Sequence, residues 1–392
     1  MIPVSVMVTG LGTVSTRIKG RYGKGAPSTF TTELRPVVFW NLTYACNLRC
    51  EHCYINAGPS PRPEELTTEE ALRVAGELVE ARVPLVILSG GEPLLRRDFW
   101  QVSERLAGSG ATKVALSTNG TLITRDVARR LADLGFSYVG VSLDSLVPRL
   151  HDKFRGVAGA FEAAVRGIDN AVAEGLSVGI RTTVTRWNYR EAPQMVDFAH
   201  QHGAQRVSYY ILDSIGRAAN IRGDLPAREQ LREFVDALVE KAREYAGKVE
   251  IEVVRANFVG IYLADRLSRS PEDFAEYIKL INAQGDCGRK TISIYPDGTV
   301  RPCQFIDEYV IGDLRRQSLR DILSYKNEAL MTFVRLYEHL RGPRCGSCPF
   351  KLVCGGGSRG RARAATGDFW GDEPLCFIDP VEIAKRWGFG AG

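Results

Sequence analysis

Cysteines are the residues of this chain whose type and spacing most plainly allow chemistry. There are nine in 392 residues. Three lie together in Cys46-Asn47-Leu48-Arg49-Cys50-Glu51-His52-Cys53, and the next is Cys287, followed by Cys303, Cys345, Cys348, Cys354 and Cys376. The count is odd. Met1–Gly10 is apolar but short, with no basic residue ahead of it, so no signal peptide is expected. A cytoplasmic, reducing setting follows, in which clustered cysteines hold metal more often than they form disulfides. Three thiolates on one short loop can wrap one metal centre. An iron–sulfur cube wants four ligands, so three leave one iron open to a small molecule. The alternative is a structural zinc with a closed set of four, for which His52 is the nearest fourth donor. Cys345, Cys348, Cys354 and Cys376 can close a metal site by themselves, whether of zinc or of iron and sulfur.

These side chains need a scaffold. Hydrophobic residues make up 44% and charged residues 25%, the balance of a chain that buries a sizeable core. The net charge of +5 is too small to argue for nucleic acid, and no apolar run approaches the ~18 residues that span a bilayer, so neither is expected as a partner. Six β-rich runs, at 37–42, 85–88, 113–117, 138–143, 178–184 and 206–212, alternate with helical patterns at 67–81, 98–107, 125–134, 161–174 and 190–202. Thr67 to Glu70 reads as an N-cap with an acidic first turn, and Gly135 and Gly175 sit where helix C-caps belong. Six βα units imply parallel pairing but fall short of the eight that close a full barrel. A doubly wound sheet would show the same periodicity. Residues 1–35 read as an N-terminal extension with a short strand at 4–8. Residues 216–284 read as linker helices (227–245 and 271–282) and a strand (249–254). Beyond 285 come a hairpin across 291–303, helices at 319–325 and 328–340, and a cysteine- and glycine-rich loop region over 342–377.

The C-x3-C-x2-C spacing after the first strand resembles the radical S-adenosylmethionine (SAM) superfamily. His52 takes the place of the usual aromatic residue before the third cysteine. Gly90-Gly91-Glu92-Pro93 follows the second strand, Ser117-Thr118-Asn119-Gly120 the third, and Ser142-Leu143-Asp144 closes the fourth. The resemblance implies an α/β fold. A partial (β/α)6 barrel, the radical SAM core over 36–215, is followed by a cysteine-rich SPASM/Twitch-like C-terminal extension over 285–392. It implies a [4Fe–4S] cluster on Cys46, Cys50 and Cys53, whose open iron chelates the amino and carboxylate groups of SAM. One electron then cleaves a carbon–sulfur bond and releases a 5′-deoxyadenosyl radical. Gly90 and Gly91 would let the backbone approach the ligand, and Glu92 would accept from its ammonium group. Ser117, Asn119, Ser142 and Arg181 would reach ribose or carboxylate. His52 and Asp144 are further cofactor-binding candidates, Asp144 with a strand-end cap as the alternative.

C-x2-C-x5-C at Cys345, Cys348 and Cys354, with distal Cys376, resembles the auxiliary-cluster region of SPASM-type enzymes. A second, auxiliary [4Fe–4S] cluster with no open iron is implied, serving electron transfer or substrate positioning. Ser358 stands where that pattern has a further cysteine, and Ile281 where another auxiliary site has an early one. That other site keeps Cys287 and Cys303 around Gly298, so no conventional cluster is expected there. The pair reads as plain buried residues, a substrate-facing pair, or ligands completed by other groups.

Longer stretches resemble the haem-biosynthesis subgroup: Phe39-Trp40-Asn41-Leu42-Thr43, residues 88–95, 117–124 and 138–144, His151-Asp152-Lys153-Phe154-Arg155-Gly156, 354–368 and Pro374-Leu375-Cys376. That subgroup includes the didecarboxysiroheme deacetylase, the haem d1 biosynthesis protein and the alternative-pathway haem synthases. The implied activity is removal of side chains, acetate or propionate carboxyl, from a sirohaem-derived tetrapyrrole: residues 90–93 and 138–156 look more like the deacetylase and haem d1 type, the Cys303 hairpin more like the decarboxylase. A small electron donor such as ferredoxin or flavodoxin is the implied protein partner. The alternative is a peptide-modifying maturase, against which residues 1–35 are too short and basic for a peptide-docking module. Arginines suit the substrate's carboxylates, with Arg217, Arg222, Arg359, Arg361 and Arg363 as candidates. His151, His200, His202 and His339 are candidates for an axial ligand to a substrate iron.

Overall fold

The structure, a computed structural model, describes residues 1–12, 35–108, 110–281 and 287–389. The strands are β1 (Val37–Asn41), β2 (Leu85–Ser89), β3 (Lys113–Thr118), β4 (Tyr138–Ser142), β5 (Val178–Val184), β6 (Arg206–Ile211), β7 (Glu250–Val254), β8 (Thr291–Ile294), β9 (Thr299–Arg301) and β10 (Gly312–Asp313). They form one sheet in the order β10-β9-β8-β1-β2-β3-β4-β5-β6-β7. From β8 through β7 every neighbouring pair is parallel, while β9 and β10 add antiparallel to the β8 side. The six expected strands are β1 to β6. The parallel run also takes in β7, from the segment expected as a linker, and β8, from the hairpin. The sheet stays open, with β7 and β10 at its two ends. This is the partial-barrel α/β core with its C-terminal extension.

Helices return between the strands as the periodicity requires. Thr68–Glu80 starts with a reciprocal capping box: Glu70 N donates to Thr67 Oγ1 (3.2 Å) and Thr67 N to Glu70 Oε2 (2.9 Å). The helix expected at 190–202 is shorter. Pro193, which has no N–H to donate, sits in a 3₁₀ turn, Ala192–Gln194, and the α-helix runs only over Met195–Gln201. Two α-helices between the strands were not foreseen. Pro148–Arg155 is short, and Phe258–Leu267 is buried almost all round, which erases the polar stripe that marks a surface helix.

Three expectations change at the ends of the chain. The strand expected at 4–8 is a helix, Val4–Thr9, ended by Gly10 at φ 72°. Only Ile2 pairs in β fashion, exchanging hydrogen bonds with Val253 of β7 at 2.8 and 3.0 Å. A short apolar run has no period that separates a strand from a buried helix. Residues 2–10 therefore pack into the fold, whereas 13–34 of the expected extension lie outside the described residues. The region expected as loop over 342–377 contains a helix, Arg359–Thr366, capped by Ser358, whose Oγ accepts from Arg361 N at 3.2 Å. A final helix, Pro380–Trp387, follows. Among the described residues no helix is long and apolar enough to cross a membrane.

Candidate active site

The cysteine loop leaves β1 and is clamped from three sides. Tyr54 OH donates to Asn41 Oδ1 (2.6 Å) at the end of β1. Arg217, beyond β6, donates to Cys50 O (2.9 Å) and Ala57 O (2.6 Å). Arg49 N and Glu51 N donate to the carbonyls of Arg155 and Phe154, both at 3.0 Å. The His151–Gly156 stretch thus packs directly on the loop. Cys46, Cys50 and Cys53 line the large cavity at the C-terminal ends of the parallel strands, where this class of sheet places its chemistry. Each sulfur accepts an N–H: Leu48 N on Cys46 (3.4 Å), Arg155 Nη1 on Cys50 (3.8 Å) and Ala57 N on Cys53 (3.4 Å). Burial pushes the Cys46 thiol up to about 12 and raises Cys50. Such thiols keep their protons until a bound cation supplies charge, and N–H groups aimed at the sulfurs suit a cluster, whose potential they tune.

Most of the expected cofactor residues surround the same cavity: His52, Gly90, Gly91, Ser117, Asn119, Ser142 and Arg181. Strand register explains the assembly. Ser117 of β3 lies beside β4, and Ser142 at the end of β4 pairs with Arg181 of β5. Arg181 Nη1 donates to Ser117 Oγ. Asn119 Nδ2 donates to Asn47 Oδ1 at 2.8 Å and lies 3.9 Å from Cys46 Sγ, tying β3 to the cysteine loop. His52 stacks on Phe154 at 4.1 Å, the packing an aromatic residue would make. Burial, aided by Arg155, lowers its pKa to about 3 against the pull of Asp144, so the imidazole is neutral.

Four of the expected residues also have structural partners of their own, and two of them, Glu92 and Asp144, stand off the cavity wall. The glycines line the cavity and also make room for the cysteine loop: a Cβ on Gly91 would sit 2.1 Å from Ala45 O, and one on Gly90 2.8 Å from Thr43 O. Glu92 is fully buried and absent from the cavity wall. Its carboxylate accepts from Thr118 Oγ1 (2.9 Å), Asn119 N (2.9 Å) and Leu94 N (3.2 Å), which locks β2 to β3. Asp144 is likewise buried off the wall. It accepts from Arg155 Nε (2.7 Å) and Thr183 N (2.7 Å); burial opposes its charge, and Arg155 holds the carboxyl below its usual range.

Arg155 escaped the sequence reading as a site residue, although it stands in a quoted motif. It joins Asp144 to Cys50 and lines the cavity with Arg181, Arg217 and Arg255. Asp213 is the one carboxylate on that wall among the described residues. Around Arg181 stand the hydroxyls of Ser117, Tyr54, Tyr138 and Tyr210, and no carboxylate among the described residues pairs with it. Buried cations without carboxylates favour an anionic ligand. Of the other candidate arginines, Arg222 is exposed, Arg363 pairs with Glu308 at the surface, Arg361 is buried against Glu373, and Arg359 is buried on the carbonyls of Phe369 and Gly371. Of the histidines, only His52 reaches the cavity. His151 accepts from Asp144 N, His202 pairs with Asp169, and His200 and His339 are exposed.

Cys345, Cys348, Cys354 and Cys376 surround a second, smaller cavity. Asp372 Oδ1 accepts from Cys345 N (2.7 Å), Asn257 Nδ2 donates to Cys354 O (2.8 Å), and Arg344 Nη1 to Cys376 O (3.2 Å). Burial pushes Cys376 up to about 12 and Cys354 well above its ordinary value. Among the described residues no three Cys, His, Asp or Glu side chains converge as ligands of one ion. Cys287 and Cys303 meet apart from both cavities. Burial alone would raise Cys303, but a hydrogen bond from Cys287 and the charge of Arg255 hold it below the ordinary thiol value.

The comparisons agree with this geometry. Residues 40–199 match the radical SAM superfamily model, and 286–349 match a model described as an iron–sulfur cluster-binding domain, SPASM. A Streptococcus suis structure, SuiB bound to precursor peptide SuiA, superposes with a TM-score of 0.70 over 93% of this chain and 79% of its own, at 16% identity, which is a likeness of fold. The chain belongs to the radical SAM superfamily and carries a SPASM-type auxiliary domain, so its cofactors are SAM, a [4Fe–4S] cluster and auxiliary iron–sulfur chemistry. The curated relatives narrow this further. The chain is 35% identical to Fe-coproporphyrin III synthase of Methanosarcina barkeri over 98% of this chain and 99% of the relative. It is 33% identical to pre-heme d1 synthase of Dinoroseobacter shibae over 92% and 89%. It is a radical SAM enzyme of the haem-biosynthesis subgroup.

Proposed function

We propose that the chain removes acetate side chains from a didecarboxysiroheme-type tetrapyrrole and so forms an iron coproporphyrin. One observation carries the choice of deacetylation: the match to the relative named Fe-coproporphyrin III synthase runs through almost the whole of both chains. Cys46, Cys50 and Cys53 are the ligands of the catalytic cluster, and Cys345, Cys348, Cys354 and Cys376 those of the auxiliary one. When bound, the cluster and SAM supply a 5′-deoxyadenosyl radical for hydrogen abstraction. Arg181, with Ser117 and Ser142 beside it, binds the SAM carboxylate as a charge-assisted pair. Asn119 holds the cysteine loop against β3. Arg217, bonded to backbone carbonyls, gives the wall positive charge for the carboxylates of the tetrapyrrole. Leu48, Ile211, Leu212 and Ile215 give it an apolar side that excludes water, and Phe305, Tyr54 and Tyr210 give flat faces for a macrocycle. Electrons enter from a small donor protein of the ferredoxin or flavodoxin type.

The test is an anaerobic incubation of reconstituted protein with SAM, a reductant and didecarboxysiroheme, following 5′-deoxyadenosine and tetrapyrrole mass together. Loss of acetate groups with deoxyadenosine above the substrate-free background is expected. Deoxyadenosine with an unchanged tetrapyrrole would overturn the substrate and direct the search to coproporphyrin-type haems, then to peptides.

A further inference from the structure

The iron–sulfur domain match begins at residue 286 and includes Cys287 and Cys303. A cluster between them would have to occupy the space where one guanidinium lies. Arg255, just beyond β7, has φ of +70°, a left-handed backbone unusual for a residue with a side chain. Its Nη1 donates to Cys287 Sγ at 3.6 Å and to Cys303 Sγ at 3.9 Å. Its Nη2 donates to Ser358 Oγ at 2.9 Å and to Asp213 Oδ2 at 2.8 Å, and its Nε to Asp213 Oδ2 at 3.0 Å. Ser358 Oγ in turn donates to Asp213 Oδ2 at 2.6 Å. The guanidinium lies 4.9 Å from the centre of the Phe305 ring. Arg361 Nη2 donates to Arg255 O, fixing the strained backbone from the other side.

Two thiols, one hydroxyl and the guanidinium among them do not fit a cube. Two thiolates are half the ligands a cube wants. Ser358 cannot add a third thiolate, and its Oγ already bridges Arg255 and Asp213. Asp213, the nearest carboxylate, is neutralised by Arg255. Seating a cluster would mean pulling a buried arginine off its aspartate and leaving that charge unpaired.

We infer that Arg255 stands in the place of a third cluster: Cys287 and Cys303 hold the guanidinium as hydrogen-bond acceptors and bind no iron. The chain then carries two clusters, one on Cys46, Cys50 and Cys53 and one on Cys345, Cys348, Cys354 and Cys376. The Arg255–Asp213 pair is a permanent part of the cavity wall, and this conclusion is independent of which substrate fills the cavity.

Iron and sulfide counts on the anaerobically reconstituted full chain test it. Two cubes predict about eight irons per chain. Cys287→Ser/Cys303→Ser should keep that count and keep substrate-free SAM cleavage, whereas Cys345→Ser/Cys348→Ser should lose about four irons. A wild-type count near twelve, or a loss of about four irons in Cys287→Ser/Cys303→Ser, would overturn the inference. Should that variant fail to fold, Mössbauer spectroscopy of isotopically enriched wild type gives the cluster number directly, with two supporting the inference and three refuting it.

Discussion

The two cysteine regions hold their sulfurs in opposite ways. Cys46, Cys50 and Cys53 stand on the rim of a cavity of about 160 Å³, walled by the ends of parallel strands and by Arg155, Arg181, Arg217 and Arg255. Cys345, Cys348, Cys354 and Cys376 surround a cavity of about 30 Å³ in the C-terminal region, between the Phe258–Leu267 helix and the turns around Gly356 and Glu373. On the proposed assignment, three sulfurs in a roomy, positively charged place leave an iron free to bind an anionic chelator. Four in a tight place leave none. On that assignment, ligand number and adjoining space together separate a reactive centre from a conducting or structural one, and by the inference above Arg255 closes the place between Cys287 and Cys303 altogether.

The contrast is most directly broken at the first region. Replacing Cys46, Cys50 or Cys53 by alanine should abolish 5′-deoxyadenosine formation completely, read by chromatography of an anaerobic reaction. A triple alanine variant that still made it would end the reading of an open-iron centre. At the second region the expected loss is of another kind. Cys354→Ser should give up about four irons, keep substrate-free SAM cleavage and lose tetrapyrrole turnover. Equal loss of both activities would show that the two regions do not divide the work.

Arg155 gives a smaller effect that sharpens the comparison. Among the described residues no cation donates a hydrogen bond to a thiol of the second region as Arg155 does to Cys50. Asp144 is fully buried and Arg155 nearly so, and they pair at 2.6 Å. Arg155→Ala leaves that carboxylate alone in the interior, which should cost about 3–5 kcal/mol of stability. The measurement is denaturant unfolding of the apo chain, with Asp144→Asn added. If the second change restores nothing, the cost came from lost packing and not from the stranded charge.

Much of the site was legible because its chemistry is local. The cysteine spacings and the motifs at the ends of β2, β3 and β4 are short strings whose side chains the parallel register must bring together. The six strands were legible for the same reason, since an apolar β-rich run followed by a capped helix has few other readings. What escaped depends on distant partners. Glu92 and Asp144 carry the charge expected of ligand-binding groups, and only the fold shows their oxygens taken by Thr118, Asn119, Arg155 and Thr183. Arg255 looked like any arginine after a strand until the chain returned with Cys287, Cys303 and Ser358. The Phe258–Leu267 helix and the Val4–Thr9 helix were hidden by uniform burial, which removes the period that sequence reading relies on.

Glu92 provides the smallest effect, and it tests whether the first region's floor is set by charge or by hydrogen bonds. Burial raises its carboxyl from 4.5 to about 7, although Asn119 N, Thr118 and Leu94 N all donate to it and pull the other way. A folded-state value above the unfolded one means that the native state holds the proton more tightly. Stability from this group is therefore fully present below about pH 4.5 and declines as pH rises to about 7, with up to about 3 kcal/mol at stake at ~1.4 kcal/mol per unit. Wild type and Glu92→Gln apo protein, unfolded by denaturant across that window, should converge or cross as pH rises, with wild type losing stability while the variant stays flat. A wild type that instead gains stability between those limits would mean that the three donors outweigh burial and that Glu92 is ionised throughout. The link between β2 and β3 under the cysteine loop would then be a buried carboxylate held by hydrogen bonds alone.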